Sequence, residues 1–187
     1  MDAHTLIRLA RQGEAAAWES LLRDHQQAVF RLAYLLLRNA DEAEDVAQET
    51  FIRALRGLNS FDPERPLRPW LLQIAANLAR NRQRSLRRYL AALGRWIGSE
   101  PPATSEHGER SGQQWEADQL WQAIGQLRTQ DREILYLRYF LDLTEHEMSS
   151  TLQIAPGTVK SRLHRATQRL RAVVDSGFPQ LREERGR

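Results

Sequence analysis

The chain contains no cysteine, which removes disulfides, thiolate metal sites and a cysteine nucleophile together. Stability must come from packing alone. No stretch approaches the roughly 18 consecutive apolar residues that would cross a bilayer, and Met1 to Arg11 has neither the apolar run nor the small-residue cleavage site of an export signal. The expectation is a soluble protein of the cytoplasm with no membrane insertion. A glycine-rich phosphate loop is missing, and the histidines His4, His25, His107, His146 and His164 show neither ligand spacing nor a carboxylate partner. No catalytic residue, metal or cofactor is expected. Lysine is almost absent too: of 27 basic side chains only Lys160 is a lysine. A GC-rich genome and selection for planar, bidentate binding of phosphate and guanine account for that skew equally well.

What is present is helical periodicity. With 41% hydrophobic and 27% charged residues the chain can build an ordinary core, and no alternating run long enough for a strand interrupts the three- and four-residue spacings. The expected fold is all-α, with two small helical domains joined by a flexible linker. In the first domain, residues 1–92, Trp18, Leu21, Leu22, Val29, Leu32, Ala33 and Leu36 share one face of a helix over 14–38. A second helix over 41–58, capped by Asn39 or Asp41, carries Ala43, Val46, Ala47, Thr50, Ala54 and Leu58. A loop with Pro63 and Pro66 leads to a third helix starting near Pro69 and running towards Tyr89. Its inner face is Trp70, Leu71, Ile74, Ala75 and Leu78.

Residues 93–114 are poor in large apolar side chains and read as the linker; Trp96-Ile97, within it, is the exception and reads either as packing back on the first domain or as a partner contact. The second domain, residues 115–176, starts with a helix whose Leu120, Trp121, Ile124 and Leu127 share a face. A helix over 131–140 follows, capped by Thr129 or Asp131, and residues 177–187 form a C-terminal tail. Thr144-Glu145-His146-Glu147 then has the capping-box form, and Pro156 opens a basic helix after a tight turn at Gln153-Ile154-Ala155. A short capped helix, a turn and a basic helix make a helix-turn-helix. Val159, Leu163, Ala166 and Leu170 form its buried stripe, leaving Lys160, Ser161, His164 and Arg165 to project elsewhere. No acid lies between Met148 and Val174, where Lys160, Arg162, Arg165, Arg169 and Arg171 supply five positive charges. That asymmetry suits a polyanion.

The stretch Ala155 to Ala166 closely resembles the promoter-reading helix of extracytoplasmic-function sigma factors, and Leu127 to Tyr139 resembles the start of the same family's region 4. Independently, Asp41 to Phe51 is similar to sigma region 2.2, and Trp70 to Asn81 matches the W-L-x-x-I-A-x-N pattern of regions 2.3 and 2.4. The resemblance implies a non-enzymatic subunit of bacterial RNA polymerase that recognises promoter DNA, melts it and starts transcription. It further implies that Asp45, Gln48, Glu49, Phe51 and Arg53 dock on the coiled coil of the polymerase β′ subunit. Three of these, Asp45, Gln48 and Glu49, share one helix face. Phe61, Trp70, Asn77, Arg80, Asn81 and Arg84 would meet the minus-10 element, among arginines that include Arg82, Arg87 and Arg88; Trp70, on an apolar face, also reads as core. Thr158, Lys160, Ser161, Arg162, His164 and Arg165 would meet the minus-35 element, with Arg162 at phosphate. The β flap would bind region 4, and an anti-sigma factor is a further expected partner.

Two positions depart from the usual helix-turn-helix. Ser149 stands where alanine is common, and Gln153 stands where glycine relieves the turn, so Gln153 is expected to adopt a left-handed or otherwise adjusted backbone. The loop Asp62 to Arg68, with two acids and two prolines, does not match the family's shorter polar loops, so promoter specificity does not transfer. Two other readings compete. A helix-turn-helix regulator with a helical sensor domain would explain the second half alone and would need a dimer surface for a palindromic site. A helical adaptor that sequesters a partner would need no DNA binding at all.

Overall fold

The computed structural model describes residues 1–97, 112–178 and 180–183. Among the described residues all regular structure is helical. The first helix, α1 (Ala3–Arg11), starts on Asp2, whose carboxylate accepts from the Thr5 amide at 2.7 Å and is held below its usual range by that bond. This helix, only 9 residues long, is too short for hydrophobic periodicity to mark it, and it buries Leu6, Ile7 and Ala10. Gly13, at φ +91°, supplies the left-handed turn into α2 (Ala15–Leu37). Asn39 caps α3 (Ala40–Gly57), accepting from the Glu42 amide at 2.9 Å. The expected stripe of α3 is inside, with Ala43, Val46, Thr50 and Ala54 at most 1% exposed; the Thr50 hydroxyl donates to the Val46 carbonyl at 2.7 Å, so its burial strands no polar atom.

A 3-10 turn (Leu58–Ser60) and the proline loop lead into α4 (Leu67–Ile97), whose first turn holds Pro69. At 31 residues α4 is about 45 Å long. It runs beyond the Tyr89 to Ala92 boundary expected for the first domain. The side chains of Trp96 and Ile97, and the segment 98–111 in which most of the expected linker falls, lie outside the described residues.

Helix α4 is buried on two faces. Leu71, Ala75 and Leu78 face α2 and α3 as expected, but Leu72, Ala76 and Ala79 are also fully covered. On a helical wheel these three fall within the arc bounded by Arg68, Gln73 and Arg80. All three bounding side chains have partners in the second half of the chain.

That second half begins with α5 (Gly112–Gly125) and α6 (Thr129–Leu135), the latter widening into a π-helical turn (Tyr136–Phe140). Then come α7 (Glu145–Leu152), α8 (Pro156–Gly177) and α9 (Gln180–Glu183), which lies in the expected tail. Two expectations change here. Leu120 does not join Trp121, Ile124 and Leu127 inside; it remains 38% exposed. Neither Thr129 nor Asp131 caps α6, which starts after Arg128 without a side-chain cap. The Asp131 carboxylate instead turns inward and is claimed by Arg169 at 2.8 Å. The two bundles meet along α4 and α7, and buried side chains of both belong to one contiguous apolar core.

Candidate nucleic-acid and partner interfaces

The helix-turn-helix is built by local chemistry. Thr144 and Glu147 close a full capping box on α7: the Glu147 amide donates to the Thr144 hydroxyl at 3.2 Å, and the Thr144 amide donates to the Glu147 carboxylate at 2.9 Å. Gln153 does adopt the left-handed backbone, at φ 55° and ψ 46°, and its side-chain amide donates to the Ser150 carbonyl at 2.7 Å. That bond offsets part of the roughly 1 kcal/mol that a non-glycine residue incurs there. The serine at 149 is also explained, because its hydroxyl donates to the Ile154 carbonyl across the turn at 2.6 Å. An alanine would leave that carbonyl without this partner.

Pro156 sits in the first turn of α8, whose Val159 and Ala166 are fully buried and whose Leu163 and Leu170 pack at the margin of the core. Lys160, Ser161, His164 and Arg165 are exposed on the outward side, with Thr158 and Arg162 half-buried at its edges. The expected site is therefore assembled on one helix. Arg169, counted above among the polyanion-binding charges, is instead committed to Asp131. Arg171 stays exposed.

In the first bundle, Phe61 is buried and its ring lies 4.6 Å from that of Trp70. Trp70 is half-buried above Gly57, where an added Cβ would stand 3.5 Å from the indole. The Arg11 guanidinium donates to the carbonyls of both Leu58 and Phe61, tying α1 to the loop that carries this aromatic pair. Asn77, Asn81 and Arg84 are exposed along α4. Asn77 accepts from Arg80, and Asn81 accepts from Arg84 at 2.6 Å. Arg82 pairs with Glu42 and Asp45 at 3.0 and 3.2 Å, and Arg88 donates to Ser85; the Arg87 side chain lies outside the described residues.

The outward face of α3 carries Asp45 and Gln48 exposed, and Glu49 bound to Arg53 at 2.7 Å. Exposed pairs of this kind contribute about 0.5 kcal/mol, so a partner can take over Asp45, Glu49 or Arg53 at little cost. Phe51 differs from the other four expected contacts: only 8% exposed, it packs edge-on against Trp18 at 6.4 Å. It floors a groove of about 850 Å³ between α2 and α3, walled by Leu22, Phe30, Ile52 and Leu55. A second groove of about 900 Å³ lies between α3 and α4, bordered by Asp45, Glu49, Arg53 and Arg82. Gln48 and Ile52 border both. The sequence reading missed Phe30 and Tyr34, an exposed stacked pair on α2 with centroids 6.2 Å apart. Their four-residue spacing among Gln26, Gln27 and Arg31 was the available signal.

Between the bundles, Arg80 donates to both carboxylate oxygens of Glu133 at 3.0 and 3.1 Å, and the Glu133 side chain is 2% exposed. Burial pushes that carboxyl up, against the opposing pull of Arg80 and of Arg162. The Arg68 guanidinium reaches the Leu141 carbonyl at 2.7 Å, and the Arg38 guanidinium lies 4.1 Å from the Trp121 ring centroid. None of Arg38, Arg68 or Glu133 was anticipated.

Comparison with known proteins agrees with both halves of this geometry. The family model for sigma-70 region 2 matches residues 21–89, and that for sigma-70 region 4 matches residues 117–170. The chain is 33% identical over 173 residues to the ECF RNA polymerase sigma factor SigW of Bacillus subtilis, covering 88% of this chain and 92% of that one. It is 34% identical over 168 residues to SigL of Mycobacterium tuberculosis, covering 88% and 93%. Among solved structures, CnrH in complex with the cytosolic domain of CnrY superposes with a TM-score of 0.70 at 26% identity, covering 93% of this chain and 97% of that one. An all-helical pair of bundles, an acidic α3 face and a helix-turn-helix define an initiation factor, and the chain belongs to the extracytoplasmic-function group of the sigma-70 family. Matches to both halves in order leave no room for the regulator with a sensor domain.

Proposed function

We propose that this protein is a non-catalytic initiation subunit that acts in the cytoplasm, holding core RNA polymerase through α3 and reading promoter DNA with α4 and α8. Asp45, Gln48, Glu49 and Arg53 offer charged and amide groups to the β′ coiled coil, while Phe51 floors the adjoining apolar groove. Charges at such a surface contribute mostly register and association rate. Asn77, Asn81, Arg80 and Arg84 form a polar and basic track along α4 for the displaced minus-10 strand, next to the Phe61–Trp70 pair. Because Phe61 is buried against Trp70, the pair shapes the edge of this track and does not itself stack on the bases. Thr158, Lys160, Ser161, Arg162, His164 and Arg165 face the minus-35 duplex, and the β flap holds the C-terminal bundle in place.

The observation that carries this reading is the outward face of α8. Its exposed Lys160, Ser161, His164 and Arg165 stand on a helix whose opposite stripe is buried, the geometry a major-groove reader requires. CnrH, a structural neighbour, is seen with the cytosolic domain of CnrY. An anti-sigma factor is the regulator we propose for this chain, and the groove between α2 and α3 offers it an apolar seat. The test is transcription by purified core polymerase on a library of genomic promoter fragments, with and without the protein. Protein-dependent starts that share two upstream motifs are expected. Duplex binding by the free protein without any such starts would overturn the reading.

A further inference from the structure

Helix α1 precedes the part of the chain that the region 2 model matches, which begins at residue 21, yet it is bound to the loop that carries the Phe61–Trp70 pair. Among the described residues, the side-chain hydrogen bonds from α1 to any other element all come from Arg11. Its Nε donates to the Leu58 carbonyl at 3.0 Å and its Nη2 to the Phe61 carbonyl, 47 and 50 positions along the chain. His4 and Arg8 stay exposed, whereas Arg11 is half-buried. The helix itself is anchored through Leu6, Ile7 and Ala10, each at most 8% exposed, so this guanidinium stands on a fixed support.

The loop beyond Phe61 is stiff but loosely seated. Pro63 and Pro66 restrict its backbone. The Asp62 carboxylate accepts from the Glu64 amide at 3.1 Å, and the Asp62 carbonyl accepts from the Arg65 amide at 3.0 Å, closing a turn within the loop. Asp62, Glu64, Arg65 and Pro66 are exposed. Between Pro63 and α1 lies a hollow of about 290 Å³, walled by Thr5, Arg8 and Arg11, so apolar packing on α1 does not seat the turn. A stiff segment of this kind moves as one body, and its setting is decided at its ends. Leu67 is buried at the far end. At the near end the Phe61 amide donates to the Leu58 carbonyl at 3.2 Å, and Arg11 fastens the carbonyls of both residues. It thereby holds the turn that sets the Phe61 ring against Trp70.

We propose that Arg11 is a positioning residue for capture of the melted promoter strand. It touches no DNA and acts through the Leu58 and Phe61 carbonyls, which fix the Phe61–Trp70 pair at the edge of the α4 track. This role rests on the sigma-factor reading above. Two donors on one edge of a rigid guanidinium plane fit two converging carbonyls, so the tether sets the direction of the loop as well as its distance from α1. Without the tether, ordering of the loop is deferred to the moment the strand binds, and that ordering cost weakens capture. Docking on polymerase through α3 and duplex binding through α8 involve neither carbonyl and are unaffected.

The test uses the full chain bound to core polymerase. Its probe is a fluorescent single-stranded oligonucleotide with the displaced minus-10 sequence of a protein-dependent start from the promoter library. Arg11→Gln should weaken capture of this strand about tenfold, the range expected when a charged donor loses its carbonyl partners, and leave affinity for core polymerase unchanged. Arg8→Gln removes the same charge from an exposed position three residues away and should leave capture unchanged. The slope of capture against salt should be the same in Arg11→Gln as in the unsubstituted chain, whereas a direct phosphate contact would lower it by about 0.7. Arg11→Lys, which keeps the charge without the fork, should fall between. Undiminished capture by Arg11→Gln, an equal loss in Arg8→Gln, or a reduced salt slope would overturn the positioning role while leaving the sigma-factor reading intact. If Arg11→Gln fails to fold by circular dichroism, Arg11→Lys decides, and undiminished capture by that variant overturns the role. An unsubstituted complex that captures the strand no better than core polymerase alone would overturn the sigma-factor reading and this role together.

Discussion

Removing Arg169 should destabilise the C-terminal bundle more than removing its partner Asp131, although they make one ion pair. One guanidinium nitrogen of Arg169 donates to both Asp131 oxygens at 2.8 Å, but the Asp131 side chain is 5% exposed whereas that of Arg169 is 47% exposed. Arg169→Ala leaves a carboxylate that water cannot reach, forfeiting a charge-assisted bond and exposing the desolvation penalty, a loss of about 3 kcal/mol. Asp131→Asn keeps the shape and releases a guanidinium already half in water, a loss of about 1 kcal/mol. In urea, with a slope of about 2 kcal/mol/M, the first should lower the midpoint by about 1.5 M and the second by about 0.5 M. Arg171→Ala is the control: exposed on the same helix, it should leave the midpoint unchanged. Circular dichroism at 222 nm follows the transition. If Arg169→Ala and Arg171→Ala lose the same stability, or Asp131→Asn loses more than Arg169→Ala, the argument from burial is wrong.

Two further outcomes follow from the same structure. Arg165→Ala should weaken binding to a minus-35 duplex while leaving stability unchanged, since Arg165 is exposed and bonds only the Ser161 carbonyl of its own helix. If Arg165 bonds a guanine, the loss is about 1 to 3 kcal/mol and sequence-dependent; if it meets only phosphate, the loss is uniform and the salt slope falls by about 1. A titration at several salt concentrations on matched and mismatched duplexes separates the two. His25 should make the protein acid-sensitive. Burial, then the charge of Arg68, lower its pKa against the opposing pull of Asp24, so below the usual imidazole range near 6.5 the unfolded chain binds a proton that the folded one resists. Stability is retained above that range and lost as pH falls through it. His25→Gln should flatten thermal midpoints measured between pH 7.5 and 5.5, and an unchanged slope would refute the assignment.

How much of this was readable in advance varies with the kind of signal. The helix-turn-helix was legible because its determinants are local: the Thr144–Glu147 box, Pro156, and a stripe from Val159 to Leu170. Even the left-handed Gln153 followed from the absence of glycine. The interface between the bundles was not legible. Alanine at 76 and 79 reads equally well as helix propensity or as a close-packed face, and only a tertiary partner decides. The acids Asp131 and Glu133 near the start of α6 look like dipole compensation, yet each is buried against an arginine far along the chain. The π-helical turn has no periodic signature at all. Phe61 and Trp70 were readable as aromatic side chains beside a loop, but not as each other's partner. Their separation by 9 positions hides a contact that depends on how the proline loop turns back.

The same contrast bears on the arginine skew, for which composition left a GC-rich genome and phosphate recognition equally open. A third use emerges, because several arginines donate to backbone carbonyls: Arg11 forks between those of Leu58 and Phe61, while Arg132 reaches Gly125, Arg138 reaches Leu143 and Arg68 reaches Leu141. A guanidinium can satisfy two acceptors in a fixed plane, which a lysine ammonium does with poorer geometry. The single lysine, Lys160, stands on the exposed face of α8, where a mobile point charge suffices. Arg11→Lys therefore tests whether the fork matters. It should cost about 1 kcal/mol, about 3 °C in melting temperature for a chain of this size, and speed hydrogen exchange at the Phe61 amide, whose bond to Leu58 belongs to the tethered turn. Arg171→Lys, with no carbonyl to bridge among the described residues, should change neither. If Arg11→Lys is equally silent, the charge alone holds the loop, and the arginine at this position reflects genome composition after all.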